Sequence, residues 1–106
     1  PWSPGDRRFA GIVVTNYLWR PSLAALPGWL RPDGVLIYET FALGNERFGR
    51  PRNPDFLLRP GELIEAFAPL LRIVAYEDGE IAAPRSAVVQ RICAAAGPGP
   101  LILPPP

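Results

Sequence analysis

The sequence predicts an α/β domain in which two parallel strands, joined through a helix, are followed by an antiparallel closing pair. Three observations carry this. Ile12-Val13-Val14-Thr15 and Val35-Leu36-Ile37-Tyr38-Glu39 are short runs without polar alternation, as expected of strands covered on both faces of a parallel sheet. Leu23, Leu26 and Leu30 recur between them at helical spacing, so the connection is a crossover rather than a hairpin. Two more strand-like runs close the chain with only a short connection between them.

Taken in order, residues 1–8 are turn-rich and read as a linker. The first strand runs from Phe9 to Thr15, and Asn16-Tyr17-Leu18 leads away from it. Pro21 and Ser22 open a helix, because proline is tolerated where no backbone N–H is required. Pro27-Gly28 lies inside the leucine pattern and predicts a kink or a broken helix. Arg31-Pro32-Asp33-Gly34 reads as a tight turn, with Gly34 supplying a positive φ. The second strand covers Val35 to Glu39. Phe41 to Leu58 is a segment rich in Gly, Pro, Asn and Arg, and loops longer than about 12–15 residues are usually functional or mobile. Pro60-Gly61-Glu62 starts a second helix, Glu62 to Phe67, with acidic groups in its first turn where the helix dipole favours them. Leu71 to Glu77 and Ser86 to Ala94 are the closing strands. Asp78-Gly79 is a hairpin-type turn signal, and Pro84 lengthens the connection. The folded unit is thus 9–96, and 97–106 is a Pro-rich tail expected to be disordered.

Composition narrows the chemistry. The chain has 106 residues, enough for one small domain. It contains no His and one Cys, so it holds neither a Ser-His-Asp relay nor a zinc cluster. All 11 basic residues are Arg, which removes Schiff-base and P-loop lysine chemistry. A net charge of +1 provides no global field for nucleic acid or anionic lipid. No run approaches the ~18 apolar residues of a membrane span, and no signal-peptide pattern is present. Cys93 has no partner for a disulfide and reads as a small buried hydrophobe, consistent with a cytoplasmic protein. The chain starts at Pro1 and contains no Met, so it is expected to be a piece of a longer polypeptide.

Three stretches resemble the second half of class I S-adenosylmethionine-dependent methyltransferases. Arg8-Phe9-Ala10-Gly11-Ile12-Val13-Val14-Thr15-Asn16-Tyr17-Leu18 is similar to a strand written F-D-x-I/V-V-x-x-x-x-L. Leu30-Arg31-Pro32-Asp33-Gly34-Val35-Leu36-Ile37 is similar to the L-x-P-G-G-x-L turn and strand that follow it. Leu57-Leu58-Arg59-Pro60-Gly61-Glu62-Leu63 resembles the start of the helix before the final hairpin. The motifs N-Y-L-x-R-P, Y-E-T-F and G-N-E-x-F-G-x-P-x-N-P-x-F-L-L resemble those of a bacterial subfamily. Ala10 stands where the family has Asp, and Asp33 where it has Gly. The resemblance implies the C-terminal half of a Rossmann-like methyltransferase sheet. The family's glycine-rich loop and ribose-binding acid are absent from these residues and are expected upstream. An enzyme is therefore implied only when this half is joined to the other, which binds most of the S-adenosylmethionine.

Ligands of open parallel sheets sit beyond the carboxyl ends of the strands. That rule selects Thr15, Asn16 and Tyr17 after the first strand, where the resemblance implies the cofactor's sulfonium. It also selects Glu39, Thr40 and Phe41 after the second strand, and Glu39 and Thr40, together with Arg47 in the long loop, are the candidates for binding the acceptor. Methyl transfer requires alignment and charge complementarity, with no metal or covalent nucleophile, and no catalytic residue is assigned. Structural alternatives stand beside each role. Asn16 can cap the following turn, Tyr17 can fill core, and Glu39 can be a paired carboxylate. Arg47, Arg50, Arg52 and Arg59 can guide an anionic acceptor such as a carboxylate or phosphate, or form a solvated surface paired with Glu46 and Asp55. Trp2, Trp19 and Trp29 are assigned to core or interface. The Asn16-Tyr17-Leu18 segment is not the N-P-P-Y signature of amino-methylating enzymes.

The expected partner is a small-molecule acceptor; without interleaved stacking aromatics the arginines do not support nucleic acid. The rival expectation is a non-catalytic half-domain acting as an association module. Strand 12–15, if deprived of its neighbour, is an apolar sheet edge that favours self-association.

Overall fold

The computed structural model describes residues 3–99, 102 and 105; Pro1, Trp2 and half of the Pro-rich tail lie outside the described residues. The order is β1 (Phe9–Thr15), α1 (Arg20–Ala25), β2 (Leu30–Phe41), α2 (Glu62–Phe67), β3 (Arg72–Ile81) and β4 (Ala87–Ala95). Short 3₁₀ turns occupy Leu26–Trp29, Asn45–Arg47 and Pro54–Phe56. The four strands form one mixed sheet in the order β1-β2-β4-β3. β1 is parallel to β2, and β4 is antiparallel to both of its neighbours, so the predicted α/β architecture forms.

Local chemistry accounts for the helices. Proline sits in the first turn of α1, and the helix gives way after Ala25 to the 3₁₀ turn containing Pro27, as a broken helix requires. Leu23, Leu26 and Leu30 are all buried despite the break. α2 begins after Gly61, which adopts φ 72, and buries Leu63 and Phe67. The two helices and one face of the sheet share a single apolar core, built around Leu36, Tyr38, Leu58, Leu63, Phe67 and Ile92. Tyr38 and Phe67 meet there with ring centroids 6.1 Å apart.

Three expectations are corrected. Residues 31–34 belong to β2 and form an irregularity in its pairing with β1, where Phe9 pairs with Leu30 but Gly11 with Val35. Gly34 is not among the glycines with positive φ. Its requirement is steric: a Cβ there would lie 2.8 Å from the Phe9 carbonyl oxygen and 3.0 Å from Leu30 Cδ2. Asp78-Gly79 is not a turn either. Asp78 pairs with Gln90 and Gly79 with Val89, and the hairpin ends only after Ile81 pairs with Ala87. Continued cross-strand pairing overrides the local turn signal.

The third correction concerns coverage. Both helices lie on one face of the sheet, and among the described residues the other face is open. Val13 is 69% exposed and its neighbour Ile37 is 46% exposed. Cys93, paired with Ile37, is only half-buried. Apolar character on both sides of β1 and β2 is therefore satisfied on one side only.

The long 42–58 segment is pinned down. Ala42 and Leu58 form a parallel bridge. Buried Asn45 accepts from Val88 N–H at 3.1 Å and donates to the Pro51 carbonyl at 3.3 Å. Arg20 donates to the carbonyls of Asp55 at 3.0 Å and Leu57 at 2.8 Å. Buried Gln90 joins the segment's end to the sheet. It donates to the Arg59 carbonyl at 2.6 Å and accepts from Tyr76 at 2.9 Å and Leu63 N–H at 3.3 Å. Leaving such buried groups unpaired costs about 1–3 kcal/mol each, which is why the segment is held in one arrangement.

Candidate functional site

Parallel pairing brings the carboxyl ends of β1 and β2 together. Thr15 pairs with Glu39, and Asn16 N–H donates to the Glu39 carbonyl at 2.9 Å. Asn16 then leaves the sheet at φ 56, a left-handed conformation that asparagine adopts more readily than most residues. The turn is anchored one residue later, where the Tyr38 hydroxyl donates to the Tyr17 carbonyl at 2.5 Å. Burial pushes Tyr38 up to about 12, so this hydroxyl keeps its proton near neutrality and acts as a donor.

A cleft of about 620 Å³ opens between this turn, the tip of β2 and the pinned loop. Asn16 and Tyr17 contribute to it from the end of β1, and Thr40 and Phe41 from β2. Arg50, Arg52 and Phe56 line it from the loop. The Asn16 side chain makes no hydrogen bond among the described residues, so it does not cap its own turn and its amide remains available. Tyr17 is 55% exposed, and its ring is therefore not core packing.

Asn16, Tyr17, Thr40 and Phe41 are thus brought together, whereas Thr15, Glu39 and Arg47 lie elsewhere. Thr15 is exposed at the end of β1 but does not line the cleft. The Glu39 side chain lies on the open face of the sheet, opposite buried Tyr38 and Thr40. There it accepts from Arg91 Nε at 3.0 Å, while Arg91 Nη1 reaches Glu77 at 3.0 Å. Alternation along β2 decides this placement, since neighbouring side chains point to opposite faces. Arg47 pairs with Glu80 at 2.6 Å and lies over the Phe48 ring at 4.9 Å. Its expected acidic neighbour, Glu46, instead accepts from Gly44 N–H at 2.9 Å.

Sequence reasoning grouped Arg50 and Arg52 with Arg47 but singled out Arg47; only the loop's path reveals which arginines face the cleft. Phe56 stood in sequence only as a position of the bacterial subfamily motif, with no site role attached to it. Among the described residues no group of His, Cys, Asp or Glu is arranged to hold a metal. No carboxylate lines the cleft, so these residues can bind and orient a ligand but supply no general base at that point.

A second groove, about 590 Å³, lies between the edge of β1 and α1. Phe9, Ile12, Val14, Trp19 and Trp29 line it, with Tyr17 shared between the two cavities. No charged residue lines it, and it is the apolar flank of an edge strand rather than a reactive centre.

A reversed strand inserted beside a parallel pair, helices on one face and a cleft at the parallel tips together define a partial α/β fold. The crystal structure of TehB from Haemophilus influenzae shares this fold, with a TM-score of 0.62 and 16% sequence identity. The match covers 85% of this chain and 36% of the TehB chain, so the present chain spans little more than a third of its structural neighbour. At this level of identity the likeness concerns the fold. No family model matches the sequence, and no curated protein does. No helix among the described residues is long and apolar enough to cross a membrane.

Proposed function

We propose that this chain forms the acceptor-side half of an S-adenosylmethionine-dependent methyltransferase. The observation that carries the reading is the turn after β1, where Asn16 and Tyr17 present a free amide and an exposed ring beside the cleft at the tips of β1 and β2. The methyltransferase-like fold shared with TehB supports it.

These residues fit one end of the cofactor. When bound, S-adenosylmethionine supplies a methyl group on an electrophilic sulfonium. Tyr17 offers an aromatic face, which attracts such a cation by about 0.5–2 kcal/mol. Asn16 offers a donor and an acceptor whose direction is set by the left-handed backbone and by the Tyr38 anchor. Thr15 borders the same strand tip. The glycine-rich loop and ribose-binding acid belong to the other half on this reading. On the acceptor side, Thr40 and the loop residues hold the substrate and exclude water, and orientation is their contribution to rate. Because no carboxylate lines the cleft, the acceptor atom does not depend on one from this half to lose its proton. Glu39 and Arg47 act on the acceptor at most indirectly, through the ion pairs that hold β2 and the loop. A small molecule is the acceptor that suits a cleft of about 620 Å³. The reading also carries a cytoplasmic location, in which the Cys93 thiol stays reduced.

The test is calorimetry on the full-length polypeptide that contains this chain. S-adenosylmethionine is expected to bind in the micromolar range, and Tyr17→Ala to weaken it by roughly 3–30-fold, given the size of a cation–π contact. Absence of cofactor binding by the full-length protein removes the proposal.

A second reading is favoured by the edge position of β1: the half-domain acts by association, with residues 12–15 pairing with another chain. Val13, 69% exposed on this strand, supports it. Sedimentation of residues 1–106 distinguishes the two readings. Association weakened by Val13→Lys supports the module, and a concentration-independent monomer rules it out.

A further inference from the structure

We propose that the acceptor carries a carboxylate or phosphate on an apolar body, with the anion held by Arg50 and Arg52. The word acceptor rests on the methyltransferase reading; the anion site itself does not.

Charge pairing in the loop carries the argument. Arg47 is engaged by Glu80, and Arg59 lies 3.8 Å from Glu62. Arg50 and Arg52 form no ion pair among the described residues, and both line the cleft. The carboxylates of Glu39 and Glu77 are committed to Arg91 on the opposite face of the sheet. Two cations therefore share the cleft with no acid to neutralise them.

Their position is prepared rather than accidental. Pro51, between the two arginines, has its carbonyl held by the side-chain amide of Asn45, which is buried and fixed in turn by Val88 N–H. Asn45 thus holds the backbone between the two arginines in place. Guanidinium groups match the planar oxygens of carboxylate and the tetrahedral oxygens of phosphate, and such charge-assisted bonds are stronger than neutral ones. Tyr17, Phe41 and Phe56 line the same cleft, and Phe56 is 52% exposed. An apolar body against Phe41 and Phe56 with an anion at the arginines leaves Asn16 and Tyr17 to the cofactor.

The experiment is calorimetric titration of the full-length polypeptide with benzoate, phenyl phosphate and neutral benzamide, which share a ring and differ in charge. At least one anionic probe is expected to bind about tenfold or more tightly than benzamide, as one to two charge-assisted hydrogen bonds imply. The two anionic arms separate carboxylate from phosphate recognition. The double substitution Arg50→Gln, Arg52→Gln should abolish the preference, whereas Arg47→Gln should retain it. Added salt should weaken anion binding by the wild type and leave benzamide unchanged, a readout that needs no variant. Equal binding of all three probes, a preference that survives the double substitution, or a salt-independent preference each overturns the proposal. S-adenosylmethionine is titrated separately into the same protein. Cofactor binding without anion preference defeats only this inference; anion preference without cofactor binding defeats only the methyltransferase reading.

Discussion

Arg20 and Glu62 form a two-point ion pair, with Nε to Oε2 at 2.7 Å and Nη2 to Oε1 at 3.1 Å. It joins the start of α1 to the start of α2 across the whole of β2 and the long loop. Glu62 also accepts from Arg59 N–H at 2.8 Å, and Arg20 also holds the loop carbonyls of Asp55 and Leu57. One side-chain pair therefore fixes both helices and the far end of the segment that walls the cleft.

Glu62→Ala should destabilise the protein by about 2–3 kcal/mol, because it leaves the Arg59 N–H unpaired and Arg20 without its carboxylate. Arg20 is one-third exposed, which keeps the cost below that of a fully buried pair. The urea midpoint measures the change. Equal midpoints for the variant and the wild type would show that the pair contributes nothing.

The same carboxyl sets an acid limit. Burial pushes Glu62 up, but the hydrogen bonds from Arg20 and Arg59 N–H outweigh it and hold the group below its usual carboxylate range. A folded pKa below the unfolded value of about 4.3 gives stability that is complete above that value and lost as pH falls through the folded one. Glu62→Gln should lower stability at neutral pH and flatten its decline in the acid range, as followed by urea titrations at successive pH values. An unchanged acid slope contradicts this assignment.

Asn16 separates backbone from side-chain roles. Its φ of 56 tolerates Gly, while Ala should cost about 1 kcal/mol and a β-branched residue more. Asn16→Gly should therefore melt near the wild type yet weaken S-adenosylmethionine binding by the full-length protein, because the available amide is lost. Thermal melting and calorimetry on the same variant test both halves of the prediction. Full binding by a stable Asn16→Gly protein removes the side chain from the site.

Gly34→Ala should cost about 1–3 kcal/mol, the usual penalty for forcing an atom into packed structure. The added Cβ meets a backbone carbonyl at 2.8 Å, which cannot swing away as a side chain can. Hydrogen exchange should show lost protection in β1 and the start of β2 first. Unaltered protection there contradicts the steric account.

Much of the fold was legible because its signals are local. α2 falls at Glu62–Phe67 and β1 at Phe9–Thr15, as the residue pattern predicts, and the broken helix around Pro27 appears where proline demands it. The misreadings arise where pairing overrides local preference. Asp78-Gly79 has turn chemistry, yet each residue gains a ladder partner on β4 by staying extended. Gly34 was recognised as special for the wrong reason, since a close approach between β1 and β2 leaves no mark of its own in sequence.

The order of elements, the parallel start and reversed finish, and the meeting of Asn16, Tyr17 and Thr40 at one pair of strand tips were already set by residue pattern and strand ends. These depend on backbone preferences and on the meeting of parallel strand tips, both of which act over a few residues. Which face Glu39 occupies, which arginines keep unpaired charge in the cleft, and how Arg20 fastens the loop were decided only by the tertiary structure. Those outcomes depend on register and on partners up to 52 residues apart, as between Glu39 and Arg91, and no local pattern encodes such a distance.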